Sequence, residues 1–374
     1  MVAGPAPTSL TVQTGTRIVG RPETARLQWF AEGMARVMRA HGHDLAAESD
    51  GVPRLVLNFT TARRPRSYRR KSQGTFVVSI VEVDQPPADV LREAYPVLVR
   101  SLSNLLIYIV NPPQGPWRTY FITMEQGWYA IDHAGDDEAY FQTIYDRLTP
   151  LATSNLVINN IFVPDLPEEL WNGNAVTDAL REAGRRLDRM NLLPTPFPIH
   201  EFLSERALAH VKKLFGIGGL SYGNLSARHD ARSFWMSASG VNKGKLEVVG
   251  RDMLLIDDFD PERNAMIVRV PPHVEPRRAS VDAIEHWKLY TEHPRIGAII
   301  HVHAWMDGVV STVVNYPCGT AELATEVADL VRQQPDPARA VIGLKNHGLT
   351  ITGLSLDDIF ERIDGRLLPQ VPMQ

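Results

Sequence analysis

The sequence predicts an α/β protein of two domains that meet at residues 192/193. Three observations carry this expectation. The chain has 374 residues, more than a single hydrophobic core usually serves. Runs rich in β-branched and aromatic residues are interleaved with amphipathic helical stretches in both halves. Finally, Leu193-Pro194-Thr195-Pro196-Phe197-Pro198 sets three prolines in alternate positions, which removes donors and fixes the extended path a linker needs.

Composition narrows the class. Apolar residues make up 44% and charged residues 22%, the balance of an ordinary soluble globular protein. A formal charge of -4 gives no global attraction to nucleic acid or to anionic lipid, so small molecules are the expected partners. Cys318 is the single cysteine, which excludes an internal disulfide and a thiolate-cluster metal site, so a metal would need histidine and carboxylate. The first residues lack a basic stretch leading into an apolar one, and no segment is long and apolar enough to span a bilayer. The expected location is cytoplasmic.

Along the first half, residues 1–20 lack periodicity and read as a flexible arm or an irregular edge segment. From Pro22 to Arg39, the residues Ala25, Leu27, Phe30, Met34, Val37 and Met38 recur at helical spacing. His41 and His43 follow at that helix's end, where the helix dipole accounts for histidine. Strands are expected at 55–59, 75–81, 105–110 and 120–124, with a helix near 88–102. Helices at 136–151 and 175–190 flank a strand-like run at 156–163. The half therefore reads as α+β, residues 1–192, with no assignable role. Its loop 63–71 holds six cationic residues, Arg63, Arg64, Arg66, Arg69, Arg70 and Lys71. The run reads as a solvated connection, with an anion-gripping or oligomer-contacting loop as the alternative and no motif that supports nucleic-acid binding.

The chemistry lies in residues 193–374. In the apolar, β-prone run from Ile296 to Ala304, strand alternation sends His301 and His303 to one face, where two imidazoles can share a cation. A second β-like run, Arg339 to Gly348, ends in His347, and Gly348 permits a sharp turn there. If the two strands are neighbours, the three imidazoles form a site with one open position, as catalytic zinc requires. Upstream, Ser280 reads as the N-cap of a helix with Val281, Ile284 and Trp287 at helical spacing, ending at Pro294. Asp282 in its first turn either favours the helix dipole or faces the metal. Farther upstream, Gly216 to Arg228 and Ser237 to Lys245 are rich in glycine and hydroxyls, which exposes backbone N–H groups suited to phosphate oxygens.

In this order, Gly223-Asn224-Leu225-Ser226, Ser237-Ala238-Ser239-Gly240, an acidic residue nineteen before His301-Val302-His303, and Asn346-His347-Gly348 resemble the class II aldolase/adducin family over about residues 200–368. The resemblance implies an α/β/α sandwich around a mostly antiparallel sheet. It also implies a divalent ion, usually zinc, on His301, His303 and His347, and a homo-oligomer acting on a small-molecule substrate. It places phosphate or substrate binding on Gly223, Asn224, Ser239, Gly240 and Ser280, with Lys243 as a neighbouring helper, and the acid/base on Asp282. His286 matches a helix histidine expected to be structural.

The implied reaction is aldol cleavage or formation through a metal-stabilised enediolate. A 4-epimerase, a dehydratase and a non-catalytic adducin-like module are the alternatives. Asp282 stands where the aldolases carry Glu, which is the pattern of the ribulose-phosphate 4-epimerase branch, and Val281 replaces a second phosphate-pocket serine. The segment between His303 and His347 is shorter than in the sugar-phosphate aldolases, and that leaves Tyr316, or Tyr222, as the expected proton donor.

Overall fold

The structure, a computed structural model, describes residues 15–45, 52–72, 74–110, 116–123, 127–193, 204–206, 209 and 222–374. The proline-rich linker after Leu193, the glycine run 216–221 and most of the expected N-terminal arm lie outside these residues. The chain divides into two compact units, one of residues 1–88, 100–121 and 130–153, the other of residues 89–99, 122–129 and 154–374.

A six-stranded sheet runs in the order β1 (Thr16–Val19), β2 (Leu55–Phe59), β3 (Phe76–Val83), β4 (Leu105–Val110), β5 (Arg118–Thr123), β6 (Gly127–Asp132). The pairs β1–β2, β2–β3 and β3–β4 are parallel. Helices α1 (Ala25–Ala40) and α2 (Val90–Ser101) make the crossovers into β2 and β4, and α3 (Asp137–Thr153) follows β6. Beyond the α+β expectation, the first four strands pair in parallel, with helices in the β1–β2 and β3–β4 connections, whereas β2–β3 and β4–β5–β6 follow one another without a helix among the described residues. The apolar runs carried that information: β4 is buried at all six positions, as strands covered on both faces are. Residues 16–19 form the regular strand β1, beyond the irregular segment expected there.

Thr24 caps α1 by accepting from the Leu27 N–H, and the helix buries Leu27, Phe30, Met34 and Met38. Gly33 lets α1 meet α3, since a Cβ there would lie 2.1 Å from the Phe141 ring. His43 is buried at the end of α1, within 3.3 Å of Thr16 Oγ1 and 3.0 Å of the Tyr145 hydroxyl. The basic loop is tied down by its backbone. Arg66 N–H donates to Thr60 Oγ1 and its carbonyl accepts from Asn58 Nδ2. Arg63, Arg64, Arg66, Arg69 and Lys71 point outward.

Among the described residues the second sheet has nine strands, ordered β13 (Val310–Ser311), β14 (Val341–Leu344), β15 (Gly348–Gly353), β12 (Ala298–Val302), β8 (Asn224–Arg228), β9 (Phe234–Ser237), β10 (Met253–Asp260), β11 (Ala265–Arg269), β7 (Asn159–Val163). Strand β7 runs parallel to β11 along the whole of its length. Helix α4 (Ala175–Arg189) also belongs here, because Leu180, Ala183 and Leu187 are buried in the core of this unit. Residues 154–192, expected with the first half, fall in this unit and bury Val157, Leu166, Leu180 and Leu187 in its core.

Helices α5 (Ala283–Glu292) and α6 (Ala321–Arg332) pack together, and α7 (Leu356–Ile363) packs on β12 and β15. Helix α5 begins later than its sequence suggests. Asp282 occupies the N-cap, and Ser280 contributes its carbonyl to the Ala283 N–H. Among the described residues no helix is long and apolar enough to cross a membrane.

Candidate metal centre

Strand β12 lies between β8 and β15, antiparallel to both. His301 is paired across the ladder with Asn224 on one side and Thr350 on the other. Directly opposed residues point to the same face, so these three side chains form one row. His303 follows two residues later on that face. His347 precedes β15 in the turn from β14, beside His303.

The turn itself corrects one expectation. The residue in the left-handed region is Asn346, at φ 57°, rather than Gly348. Gly348 is required for a different reason, because a Cβ there would come within 2.2 Å of the Val302 carbonyl oxygen. Gly223 is constrained in the same way, at φ +67° with the His301 carbonyl oxygen 2.4 Å from an added Cβ.

The three imidazoles converge. Ring centroids are 5.2 Å apart for His301 and His303, 4.7 Å for His301 and His347, and 4.9 Å for His303 and His347. Nε2 of His347 is 3.2 Å from Nε2 of His303, and one nitrogen from each of the three rings lies within 4.8 Å of the others. Nδ1 of His301 donates to the Leu349 carbonyl at 3.0 Å, which fixes the tautomer and leaves Nε2 with its lone pair. That Nε2 is buried with no hydrogen-bond partner among the described residues. Burial lowers the pKa of all three rings, so they are neutral at pH 7. Three neutral nitrogens, one of them a buried acceptor without a donor, fit a divalent cation with an open coordination position.

Asp282 lies at the start of α5, 7% exposed, and its Oδ2 accepts from Asn224 Nδ2 at 2.6 Å. Lys243 is 3% exposed on a short 3-10 helix, Lys243–Lys245, and its charge is felt by Asp282, His301 and His303. Burial pushes the Lys243 ammonium down to about 8, against the opposing effect of Asp282. Ser239 and Gly240 come beside Ser280 because Ala238 bridges Ala279 and the Ser239 N–H donates to the Arg278 carbonyl. Tyr222 stacks at a tilt on His303, with centroids 5.5 Å apart. Tyr316 is half-buried, its phenol pKa raised by burial and by Glu326 and Glu322. Among the described residues no hydrogen bond joins it to the histidines.

Further residues surround the cluster, and of these Glu285 and Thr350 carried no expectation from the sequence. Cys318 Sγ is 3.3 Å from Nε2 of His347. Glu285, one turn beyond Asp282, accepts from Thr350 Oγ1 at 2.6 Å. His286 is fully buried, its Nδ1 2.8 Å from Ser226 Oγ, which also meets the Tyr290 hydroxyl at 2.8 Å. It stands apart from the three-nitrogen cluster, and burial drives its pKa down to about 3. Arg228 explains the end of its motif structurally, because its guanidinium donates to the Tyr290, His293 and Ile296 carbonyls at the end of α5.

Residues 207–313 match the family model described as the Class II Aldolase and Adducin N-terminal domain. A methylthioribulose-1-phosphate dehydratase of Microcystis aeruginosa is 33% identical over 106 residues, 28% of this chain and 47% of that protein. The match thus spans about half the length of that curated relative. Among solved structures, an L-fuculose-1-phosphate aldolase from Thermus thermophilus is 19% identical with a TM-score of 0.31, covering 50% of this chain and 86% of that one. An aldolase II superfamily protein from Pseudomonas syringae is 16% identical with a TM-score of 0.35, covering 53% and 73% respectively.

Proposed function

The C-terminal half of this chain carries a class II aldolase/adducin domain, and from that premise we propose that the protein is a divalent-metal-dependent lyase acting on a hydroxylated ketone or sugar. The convergence of three neutral imidazoles beside a buried, oriented carboxyl carries this reading. It fits zinc and an α/β/α sandwich. It also fits a homo-oligomer, which light scattering of the purified protein tests.

His301, His303 and His347 would hold the ion. A divalent cation there supplies a Lewis acid for adjacent carbonyl and hydroxyl oxygens. The remaining chemistry belongs to the chain. Asn224 fixes one Asp282 oxygen, which leaves the other to take or return a proton at the reacting carbon or hydroxyl. Lys243 offers a buried positive charge to an anionic substrate group. The hydroxyls of Ser239 and Ser280, which make no hydrogen bond among the described residues, are available to the same group. Tyr316 and Tyr222 are the candidates for the second proton donor.

Aldol cleavage is the first reading. Dehydration is the second, favoured by the identity to a protein named as a dehydratase. A screen of ketose phosphates, free ketoses and hydroxyacids with zinc-loaded protein separates them: aldehyde release identifies the aldolase, and loss of water without a smaller aldehyde identifies the dehydratase. Inversion at carbon alone would mark an epimerase. Zinc-loaded protein inert to all of them would sink the enzyme reading in favour of an adducin-like module.

A further inference from the structure

His301 has a neighbour on each side in the sheet, and both neighbours donate to α5. Asn224 Nδ2 reaches Oδ2 of Asp282, and Thr350 Oγ1 reaches Oε1 of Glu285, each at 2.6 Å. One turn of α5 therefore sets two carboxyls over a single row of the sheet, with His301 at its centre. The two are held differently. Asp282 has the buried ammonium of Lys243 for company, whereas Glu285 forms no ion pair among the described residues, is 2% exposed, and has an Oε2 with no hydrogen-bond partner.

A buried carboxylate without a cation is costly, and a second negative charge beside Asp282 raises that cost, so the proton stays on Glu285. The groups facing it agree. They are Asp282 from the same helix and Thr350 from β15, and the cation near the row, Lys243, acts on Asp282. Burial, with Asp282 as the second cause, pushes Glu285 up to about 8, and the Thr350 hydrogen bond opposes the shift.

We propose that Glu285 is a positioning residue of this site: it carries a proton on its buried carboxyl and so keeps a second negative charge away from the histidine row. Ionisation of Glu285 at alkaline pH adds a second charge and closes the working range from that side. The catalytic consequence rests on the lyase reading, whereas the protonation state does not.

Infrared difference spectra of the full-length protein in heavy water test this, comparing wild type with Glu285→Gln. At about pH 7 the difference contains the carbonyl stretch of a neutral carboxylic acid, and the band is lost on titration toward pH 9. Thr350→Val, which removes the Thr350 hydroxyl donor to Glu285, keeps the band and moves its loss to higher pH. Absence of the neutral-acid band at pH 7 in wild type overturns the proposal, whether or not the protein proves to be a lyase.

The effect on the row is read without substrate. Zinc affinity of wild type rises several-fold more between pH 7 and 9 than that of Glu285→Gln, because only wild type gains a charge near His301. Equal slopes overturn the positioning role. Where turnover is found, the alkaline limb of kcat/KM present in wild type is missing in Glu285→Gln, and a limb shared by both overturns the same claim.

Discussion

Acid should destabilise the metal-free protein through His286, and the size of the effect follows from its surroundings. The ring is 0% exposed, its Nδ1 meets Ser226 Oγ at 2.8 Å, and burial, followed by the charge of His301, lowers its pKa to about 3. In the unfolded chain the pKa is near 6.5. The unfolded state thus binds the proton that the folded state refuses, and stability present above pH 6.5 is lost as pH falls toward 3. Integrating the linkage relation from pH 7 to pH 5 gives about 2 kcal/mol for this one group, and about 3 kcal/mol by pH 4. The first figure hardly changes if the folded pKa is a unit higher, because at pH 5 only the unfolded state is titrating.

His286→Gln keeps a neutral polar group beside Ser226 and cannot take up the proton. Urea unfolding in the presence of chelator, at pH 7 and pH 5, measures the loss for each protein. The contributions of His301, His303 and His347 cancel in the comparison. Wild type loses about 2 kcal/mol more than the variant over this interval. An equal loss in both proteins would mean that His286 is charged or hydrated in the fold, and the burial argument would be refuted.

Asp282→Asn keeps the shape and the contact with Asn224 but removes the base, so zinc binding persists while kcat falls by roughly a hundredfold to ten-thousandfold. Stopped assays on the substrate found in the screen check this, and a variant within tenfold of wild type contradicts the role. Gly348→Ala places a methyl group 2.2 Å from the Val302 carbonyl oxygen and forces β15 away from β12. It costs about 2 kcal/mol in urea unfolding and lowers zinc affinity, because His347 moves with the strand. Gly184→Ala drives a methyl to 1.9 Å from the Lys243 carbonyl oxygen, so it weakens binding of an anionic substrate, seen as a raised KM, while leaving zinc binding intact.

Periodicity made most of the elements legible. The runs at 55–59 and 105–110 are the strands β2 and β4, and the stripe from Leu27 to Met38 is the buried face of α1. Alternation in β12 was enough to bring His301 and His303 to one face, and the hairpin of β14 and β15 brings His347 to them. Strand direction was harder to read. Parallel pairing of β1 to β4 depends on crossovers that local pattern does not specify, and β1 is only four residues long.

Prolines mark an extended path, whereas membership of a unit is decided by where apolar faces are buried, so the proline-rich run could not show that residues 154–192 pack with the second sheet. Glu285 was hidden for a related reason. A glutamate in a first helical turn reads as a dipole partner, and nothing local reveals that it faces the sheet. Its spacing of three from Asp282, together with the polar Thr350 and Thr352 alternating with Leu349 and Ile351 in β15, was the available signal. The Asn346–Gly348 turn was misread because glycine suggests a positive φ, while here it answers a close approach of two backbones.

The central claim is that His301, His303 and His347 bind one divalent ion. Zinc titration of chelator-stripped protein, followed by calorimetry and elemental analysis, tests it directly. Wild type takes up one zinc per chain, releasing few protons at pH 7 because the imidazoles are already neutral, and His303→Ala loses at least a hundredfold in affinity while remaining folded. A wild type that binds no zinc, or a folded His303→Ala that binds it as tightly, would contradict the account.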